Sequence, residues 1–399
     1  MTASSPLVLD TLYASRARTI QDPSAWPNDP AGVISLAYGF AAPEKFPTEA
    51  LLVASGEVLH EDAPQALNYG STYSGLITLI TERMHVRGVA ATSANMLVTH
   101  GSSQALALLA NVFIDPGDTI IVEGPTFMGA VKYFAAAGAR ILSTPVDADG
   151  LDTDALAALL RAEAARGVTP KFIYVIPNFQ NPTGALLPLA RREHLIALAH
   201  EFETLLIEDD AYGELYFDTP PPPQLAALDA SGRVIHVGTF SKILAPGVRT
   251  GFACAHPAII ERLAMFKYEG GNGPYLTRVV ERFCADGRLE AHTTELRVLY
   301  KHKRDVMLAA LDREMPADLR YNRPAGGFFV WAQLPSGVSA NALLAESQRN
   351  GATFCAGTDF FADGSGDDAI RLAFSLQPDH LIDSAITRIA QALHTLRQP

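Results

Sequence analysis

The chain has 399 residues and a net charge of −12, from 43 acidic and 31 basic side chains, with 48% hydrophobic and 19% charged residues. This composition excludes a disordered chain, and the acidic excess argues against nucleic acid or an anionic membrane as partner, since both call for a basic face. The length exceeds the roughly 250–300 residues that one hydrophobic core usually serves, so two domains are expected. No apolar run approaches the ~18 residues of a membrane span. Cys254, Cys284 and Cys355 are scattered and odd in number, which reads as thiols kept reduced, and the N-terminus has no continuous apolar signal core. A cytoplasmic protein is the expectation.

In chain order, residues 1–45 show little periodicity and are expected to contribute to the smaller domain and to cover the functional site. Short runs apolar on both faces follow at residues 95–99, 119–123, 140–144, 172–176, 205–208, 234–237 and 251–255, the signature of buried, mostly parallel strands. Helical patterns lie between them, at residues 104–112, 154–163 and 188–203. Strand–helix alternation of this kind means an α/β sheet. From about Arg288 the pattern changes to a long helix, strands near Tyr321 and at residues 328–332, a helix after Val338, and a last helix over about residues 379–396. The expected layout is a large domain over 46–290 and a small α+β domain over 291–399.

The densest chemistry lies in residues 238–252, GTFSKILAPGVRTGF. Lys242 stands past a strand end, flanked by Thr239 and Ser241 and followed by Arg249. Its amine can form a Schiff base with an aldehyde, while hydroxyls and a forked guanidinium hold a phosphate beside it. Aldehyde plus phosphate is pyridoxal 5′-phosphate (PLP); the competing reading is a surface lysine–arginine pair.

Four further clusters fit the same cofactor, each with a plainer alternative. Glu208-Asp209-Asp210-Ala211-Tyr212 ends a strand, where open α/β sheets bind ligands. Asp209 there can keep a pyridine nitrogen protonated and Tyr212 can donate to the ring's phenolic oxygen; otherwise this is an acidic helix start with Asp210 as its cap. Asn181, in Gln180-Asn181-Pro182-Thr183-Gly184, can reach that oxygen from the other side, or the loop is ordinary turn chemistry. Gly101-Ser102-Ser103-Gln104 opens a helix whose N–H groups can cradle a phosphate, or it holds a plain capping serine. Phe127 can stack on the pyridine or pack in the core. Arg371, inside the apolar run Ile370-Arg371-Leu372-Ala373-Phe374, needs a partner if buried; a substrate carboxylate gripped bidentately fits, as does a structural ion pair. No residues are assigned to a metal.

Together these residues resemble the fold-type I PLP enzymes of the class I/II aminotransferases, and within them the 2-aminoadipate/kynurenine aminotransferase branch. The likeness runs from Arg18-Thr19-Ile20-Gln21 through Tyr69-Gly70, Gly75, the QNPTG loop, EDDAYGELYF and the lysine segment to Gly326-Gly327-Phe328-Phe329-Val330-Trp331 and Arg371. It implies an α/β fold: a large domain with a mostly parallel seven-stranded sheet sandwiched by helices, plus a smaller α+β domain. It implies Lys242 as the Schiff-base lysine, Asp209 on the pyridine nitrogen, and Asn181 and Tyr212 on the phenolic oxygen. Ser102, Ser103, Gln104, Thr239, Ser241 and Arg249 fall to the phosphate region, Phe127 to the ring, and Arg371 with Asn181 to the substrate carboxylate. A homodimer with shared active sites is implied, Tyr69 reaching the neighbouring subunit's phosphate.

Two departures bear on the substrate. Relatives usually carry Gly-Gly after the first apolar segment; here Leu36-Ala37-Tyr38-Gly39-Phe40 puts Tyr38 where the first glycine stands, at the substrate entrance with Gly39. Dicarboxylate-using relatives carry an arginine just after the Ile-Gln pair, where this chain has Asp22-Pro23-Ser24-Ala25-Trp26 and only Arg16 or Arg18 nearby. Tyr38 is expected either to shape the pocket or to turn outward onto Trp26 or Phe40. The expected activity is PLP-dependent amino transfer from an α-amino acid to a 2-oxo acid, with Lys242 carrying the proton. The alternatives are a PLP enzyme of a specialised biosynthetic pathway performing elimination, replacement or carbon–carbon bond formation, or a PLP-sensing protein without activity.

Overall fold

A computed structural model describes residues 12–14, 32–269 and 271–398. Arg16, Arg18, Trp26 and the Ile20-Gln21 pair lie outside the described residues. The large sheet has eight strands in the spatial order Met96–Thr99, Gly251–Cys254, Val234–Thr239, Leu205–Asp210, Phe172–Val175, Thr119–Gly124, Arg140–Asp147 and Gly150–Leu151. From Val234–Thr239 to Arg140–Asp147 the neighbours run parallel, whereas Gly251–Cys254 is antiparallel to both of its partners.

All seven expected strands form. The first begins at Met96 and not at residue 95, because Asn95 closes a short 3-10 turn, its side-chain oxygen accepting from the Thr92 amide at 2.9 Å. The eighth strand, Gly150–Leu151, pairs back on Val146 and Asp147 and is too short for any pattern to reveal. Alternation along the strands sends successive side chains to opposite faces. Ile120, Val122, Tyr174 and Ile207 pack on Leu106, Leu109 and Phe134 on one face. Ile121, Ile173, Val175 and Leu206 pack on Leu156, Leu160, Leu195 and Leu198 on the other. Burial of each such side chain contributes about 1.5–3 kcal/mol, so both faces hold the sheet between helices.

A second sheet, antiparallel throughout, has the order Arg320–Tyr321, Phe329–Gln333, Ala369–Ala373 and Cys355–Ala356. The long helix Arg288–Glu314 and the last helix Asp379–Arg397 share one apolar cluster with it, through Tyr300, Met307, Phe328, Ile386 and Ile389. Ile34–Ser35 pairs in parallel with Ala352–Thr353. The segment after Ile34–Ser35 runs back to the large sheet, where the carbonyl of Gly39 accepts from Lys242 Nζ at 2.8 Å. No helix among the described residues is long and apolar enough to cross a membrane.

Candidate active site

The parallel strands of the large sheet end on one edge, and a cavity of about 840 Å³ opens there. Its wall brings together Ser102, Ser103, Phe127, Asn181, Asp209, Tyr212, Thr239, Ser241, Lys242 and Arg249. Phe40, Tyr133, Ile176, Ala211, Pro246 and Gly247 complete it.

Strand alternation separates the three acids at the end of Leu205–Asp210. Asp210 is fully engaged in holding structure: it accepts from Asn178 at 2.9 Å, the Gly213 amide at 2.9 Å, Gln224 at 2.8 Å and Arg87 at 2.5 Å. Burial works to raise its pKa, but the Arg87 charge and these bonds hold it well below the usual carboxylate range. Asp210 thus anchors a turn and a guanidinium and does not cap a helix. Glu208 accepts from the Leu225 and Ala226 amides and faces His236 Nδ1 at 3.0 Å. Asp209 alone lines the cavity. Its Oδ2 accepts from the Tyr174 hydroxyl at 2.6 Å, while its buried Oδ1 has no partner. Burial, reinforced by the Asp210 charge, pushes Asp209 up to about 6, although Tyr174, His236 and Lys242 pull the other way. A buried carboxylate oxygen left without a donor on a cavity wall suits a cationic ring N–H.

Lys242 is half-buried beyond the end of Val234–Thr239, its amine 6.0 Å from the ring centre of Tyr212 and 5.7 Å from that of Phe328. Burial, then the charges of Arg371 and Arg249, lower its pKa to about 8, with Asp209 partly offsetting them. An amine poised there is available in its neutral, nucleophilic form near physiological pH. Burial raises Tyr212 well above the ordinary phenol value, so it faces the cavity as a neutral donor.

The end of the cavity nearest Ser102 and Arg249 is built by close backbone approach. The helix Gly101–Phe113 begins there with its first N–H groups unpaired inside the helix. Gly251 packs directly on that start: a Cβ on it would lie 2.6 Å from the Gly101 carbonyl carbon and 2.7 Å from the Ser102 nitrogen. Gly101 has φ +72°, and a Cβ there would meet Arg249 Nη2 at 2.6 Å. Arg249 donates to the His100 carbonyl at 3.1 Å, beside the helix start. Thr239 donates to Ser241 Oγ at 3.0 Å, and both hydroxyls face the cavity wall. Cationic fork, hydroxyls and helix N-terminus together fit a phosphate.

Some expected residues stand off the wall. Gln104 accepts from the His100 amide at 2.8 Å and donates to Glu269 at 2.5 Å, so it braces the helix start and does not line the cavity. Tyr69 is fully exposed, away from the cavity of its own chain. Tyr38 stacks on Phe40 with ring centres 5.3 Å apart, and Phe40, not Tyr38, reaches the wall. Arg371 is 7% exposed and donates to Asn181 Oδ1 at 2.8 Å, to the Ala37 carbonyl and to Cys355 Sγ at 3.3 Å. Its guanidinium carbon lies 4.3 Å from the ring centre of Phe329 and 4.6 Å from that of Phe360. Among the described residues no carboxylate pairs with it, and its buried Nε has no partner.

Sequence reasoning missed Tyr174 and Glu123. Tyr174 was hidden in an apolar strand, where the only signal is that a buried phenol wants a hydrogen-bond partner. Glu123 is the penultimate residue of its strand and accepts from the Ile176 amide at 3.1 Å and Gln180 at 3.0 Å. Burial pushes it up to about 8. Gln180 in turn accepts from Thr183, so Glu123 pins the loop that carries Asn181.

Comparison with known proteins agrees with this geometry. The family model for class I and II aminotransferases matches residues 33–389. The 2-aminoadipate transaminase of Thermus thermophilus is 38% identical over 371 residues, 92% of this chain and 91% of that protein. The aromatic-amino-acid aminotransferase 1 of Thermococcus litoralis is 37% identical over 366 residues, covering 90% of this chain and 88% of that one. The crystal structure of an alpha-aminoadipate aminotransferase from Thermus thermophilus, complexed with N-(5′-phosphopyridoxyl)-L-leucine, superposes with a TM-score of 0.90 at 36% identity, covering 98% of this chain and 99% of that chain. The chain belongs to the class I and II aminotransferases, PLP-dependent enzymes of fold type I that move an amino group between an α-amino acid and a 2-oxo acid.

Proposed function

We propose that this aminotransferase works through Lys242, assisted by Asp209, Tyr212, Asn181 and Arg371. The observation that carries the reading is the partnerless Asp209 Oδ1 on the same cavity wall as a lysine whose pKa is lowered to about 8. Bound there, PLP supplies an aldehyde for the lysine and a cationic ring that draws electrons from the donor's Cα. Asp209 Oδ1 accepts the ring N–H, and the Tyr174 hydroxyl holds the carboxylate in place. Asn181 gives its Oδ1 to Arg371, so its amide nitrogen is the group left for the phenolic oxygen, opposite Tyr212. Ser102, Ser103, Thr239, Ser241 and Arg249 would hold the phosphate, with Gln104 acting at one remove through His100, and Phe127 would pack against the ring. Arg371 takes the donor's α-carboxylate. The Lys242 amine, when not bonded to the cofactor, would be the base that takes the donor's Cα proton.

The same reading includes a homodimer in which Tyr69, exposed in the single chain, reaches the partner's phosphate site. It keeps the division into 1–45, 46–290 and 291–399, supported by the separation of the eight-stranded from the four-stranded sheet. It places the enzyme in the cytoplasm, in keeping with three cysteines outside any disulfide. The relatives are transaminases, which favours amino transfer over elimination, replacement or carbon–carbon bond formation. Borohydride reduction and peptide mapping should place the cofactor on Lys242, and mixing with an amino donor should release the keto acid with the cofactor left aminated. Label on Lys267 or Lys171, or a product other than the keto acid, would overturn the assignment. The donors named for the relatives, 2-aminoadipate and the aromatic amino acids, are the first to try.

A further inference from the structure

A bidentate carboxylate needs two adjacent N–H groups of a guanidinium, either Nη1 with Nη2 or Nε with Nη2. Both forks use Nη2. In Arg371 that nitrogen is already committed, to the Ala37 carbonyl and to Cys355 Sγ at 3.3 Å, while Nε is buried without a partner. A carbonyl is a strong acceptor and a thiol a weak one, so the sulfur is the contact that can be given up. The arrangement is built in: Cys355 is the register partner of Arg371 on the adjacent antiparallel strand, and its S–H donates to the same Ala37 carbonyl at 3.4 Å.

We propose that Cys355 is a positioning residue of the carboxylate subsite, its thiol holding the Nη2 position that a bound carboxylate takes over. The proposal rests on the reading of Arg371 as the carboxylate holder. The partnerless Nε completes the fork once the sulfur withdraws. Cys355 is half-buried, whereas Cys254 and Cys284 are buried, so the thiol beside Arg371 is the one open to small reagents.

Alkylation tests this without knowledge of the donor. Sulfur displaces iodide from carbon, a C–S bond replacing the C–I bond, with the thiol proton passing to solvent. Iodoacetate carries a carboxylate that can dock on Arg371; iodoacetamide does not. Peptide mapping of the holoenzyme should show Cys355 labelled about tenfold faster by iodoacetate than by iodoacetamide, relative to the ratio in denatured protein. Arg371→Gln should abolish that preference. Equal preference in both proteins, or labelling that spares Cys355, overturns the proposal. Independently, Cys355→Ser puts a stronger acceptor on Nη2 and should raise the donor KM about tenfold with kcat little changed, whereas Cys355→Ala should leave KM equal or lower. A serine variant with KM no higher than the alanine variant also overturns it. If Arg371→Gln weakens donor binding but iodoacetate shows no preference, the role of Cys355 fails alone. If Arg371→Gln leaves donor KM unchanged, the parent reading of Arg371 fails as well.

Discussion

Replacing Asp209 by Asn should stabilise the cofactor-free protein while disabling the enzyme. Asp209 is pushed from 3.8 to about 6 chiefly by burial. At about 1.36 kcal/mol per unit, keeping it charged costs the empty fold roughly 3 kcal/mol. The folded protein binds this proton more tightly than the unfolded chain, so stability falls as pH rises from the unfolded value through about 6, and the whole penalty is present above it. Asparagine keeps the shape and can still accept from Tyr174 through its oxygen. Its amide then stands where Oδ1 lacks a partner, at a cost of about 1–2 kcal/mol. The net gain should be about 1–2 kcal/mol at pH 8 and turn into a loss of about 1 kcal/mol near pH 4, where Asp209 is protonated in the fold and only the cost of the unpaired amide remains. Thermal or urea unfolding of cofactor-stripped protein at the two pH values measures it. A variant less stable at pH 8, or a difference that ignores pH, would refute the burial argument. After reconstitution the order should invert: the variant should bind PLP more weakly and turn over slower by orders of magnitude, since a neutral amide does not keep the ring cationic. Asp210→Asn is the control. Its charge is paired with Arg87, so it should lose stability, by about 3 kcal/mol or more, with no compensating gain.

The phosphate cradle should discriminate between its glycines. Gly101→Ala displaces the end of Arg249 and strains a backbone held at φ +72°, and should weaken PLP binding with a modest loss of Tm, whereas Gly251→Ala drives a methyl into the Gly101–Ser102 backbone and should cost several degrees more as well as the cofactor; equal effects would mean the helix start yields freely. Mixing inactive Tyr69→Ala with inactive Lys242→Ala chains should restore activity in hybrid dimers, and verified hybrids without activity would show that each site is built within one chain. Because Tyr38 supports Phe40 on the cavity wall, Tyr38→Gly should change the ratio of kcat/KM between two amino donors by about tenfold while leaving PLP binding intact; an unchanged donor profile would make Tyr38 scaffold only.

Sequence by itself determined the sheet and picked out most of the polar groups that the cavity wall brings together. Apolar runs alternating with helical patterns require a sheet covered on both faces, whichever strand pairs with which, and Lys242, Arg249 and the Glu208-Asp209-Asp210 cluster stand out as polar groups where apolar runs end or begin. Tertiary structure decided what no local pattern holds. Adjacent Asp209 and Asp210 read alike in sequence, and only the network of Arg87, Asn178 and Gln224 on one side, against Tyr174 and an open cavity on the other, makes one an anchor and leaves the other a cavity-wall carboxylate with a partnerless oxygen. Gln104 sits in the phosphate motif yet bonds back to His100, since a helix start has its own unpaired amides to satisfy. Glu123 and Cys355 gain their meaning from residues 57 and 16 positions away, Gln180 and Arg371. Hydrogen-bond partners are set by distance in space, and the sequence period that reports which face a side chain takes says nothing of who waits there.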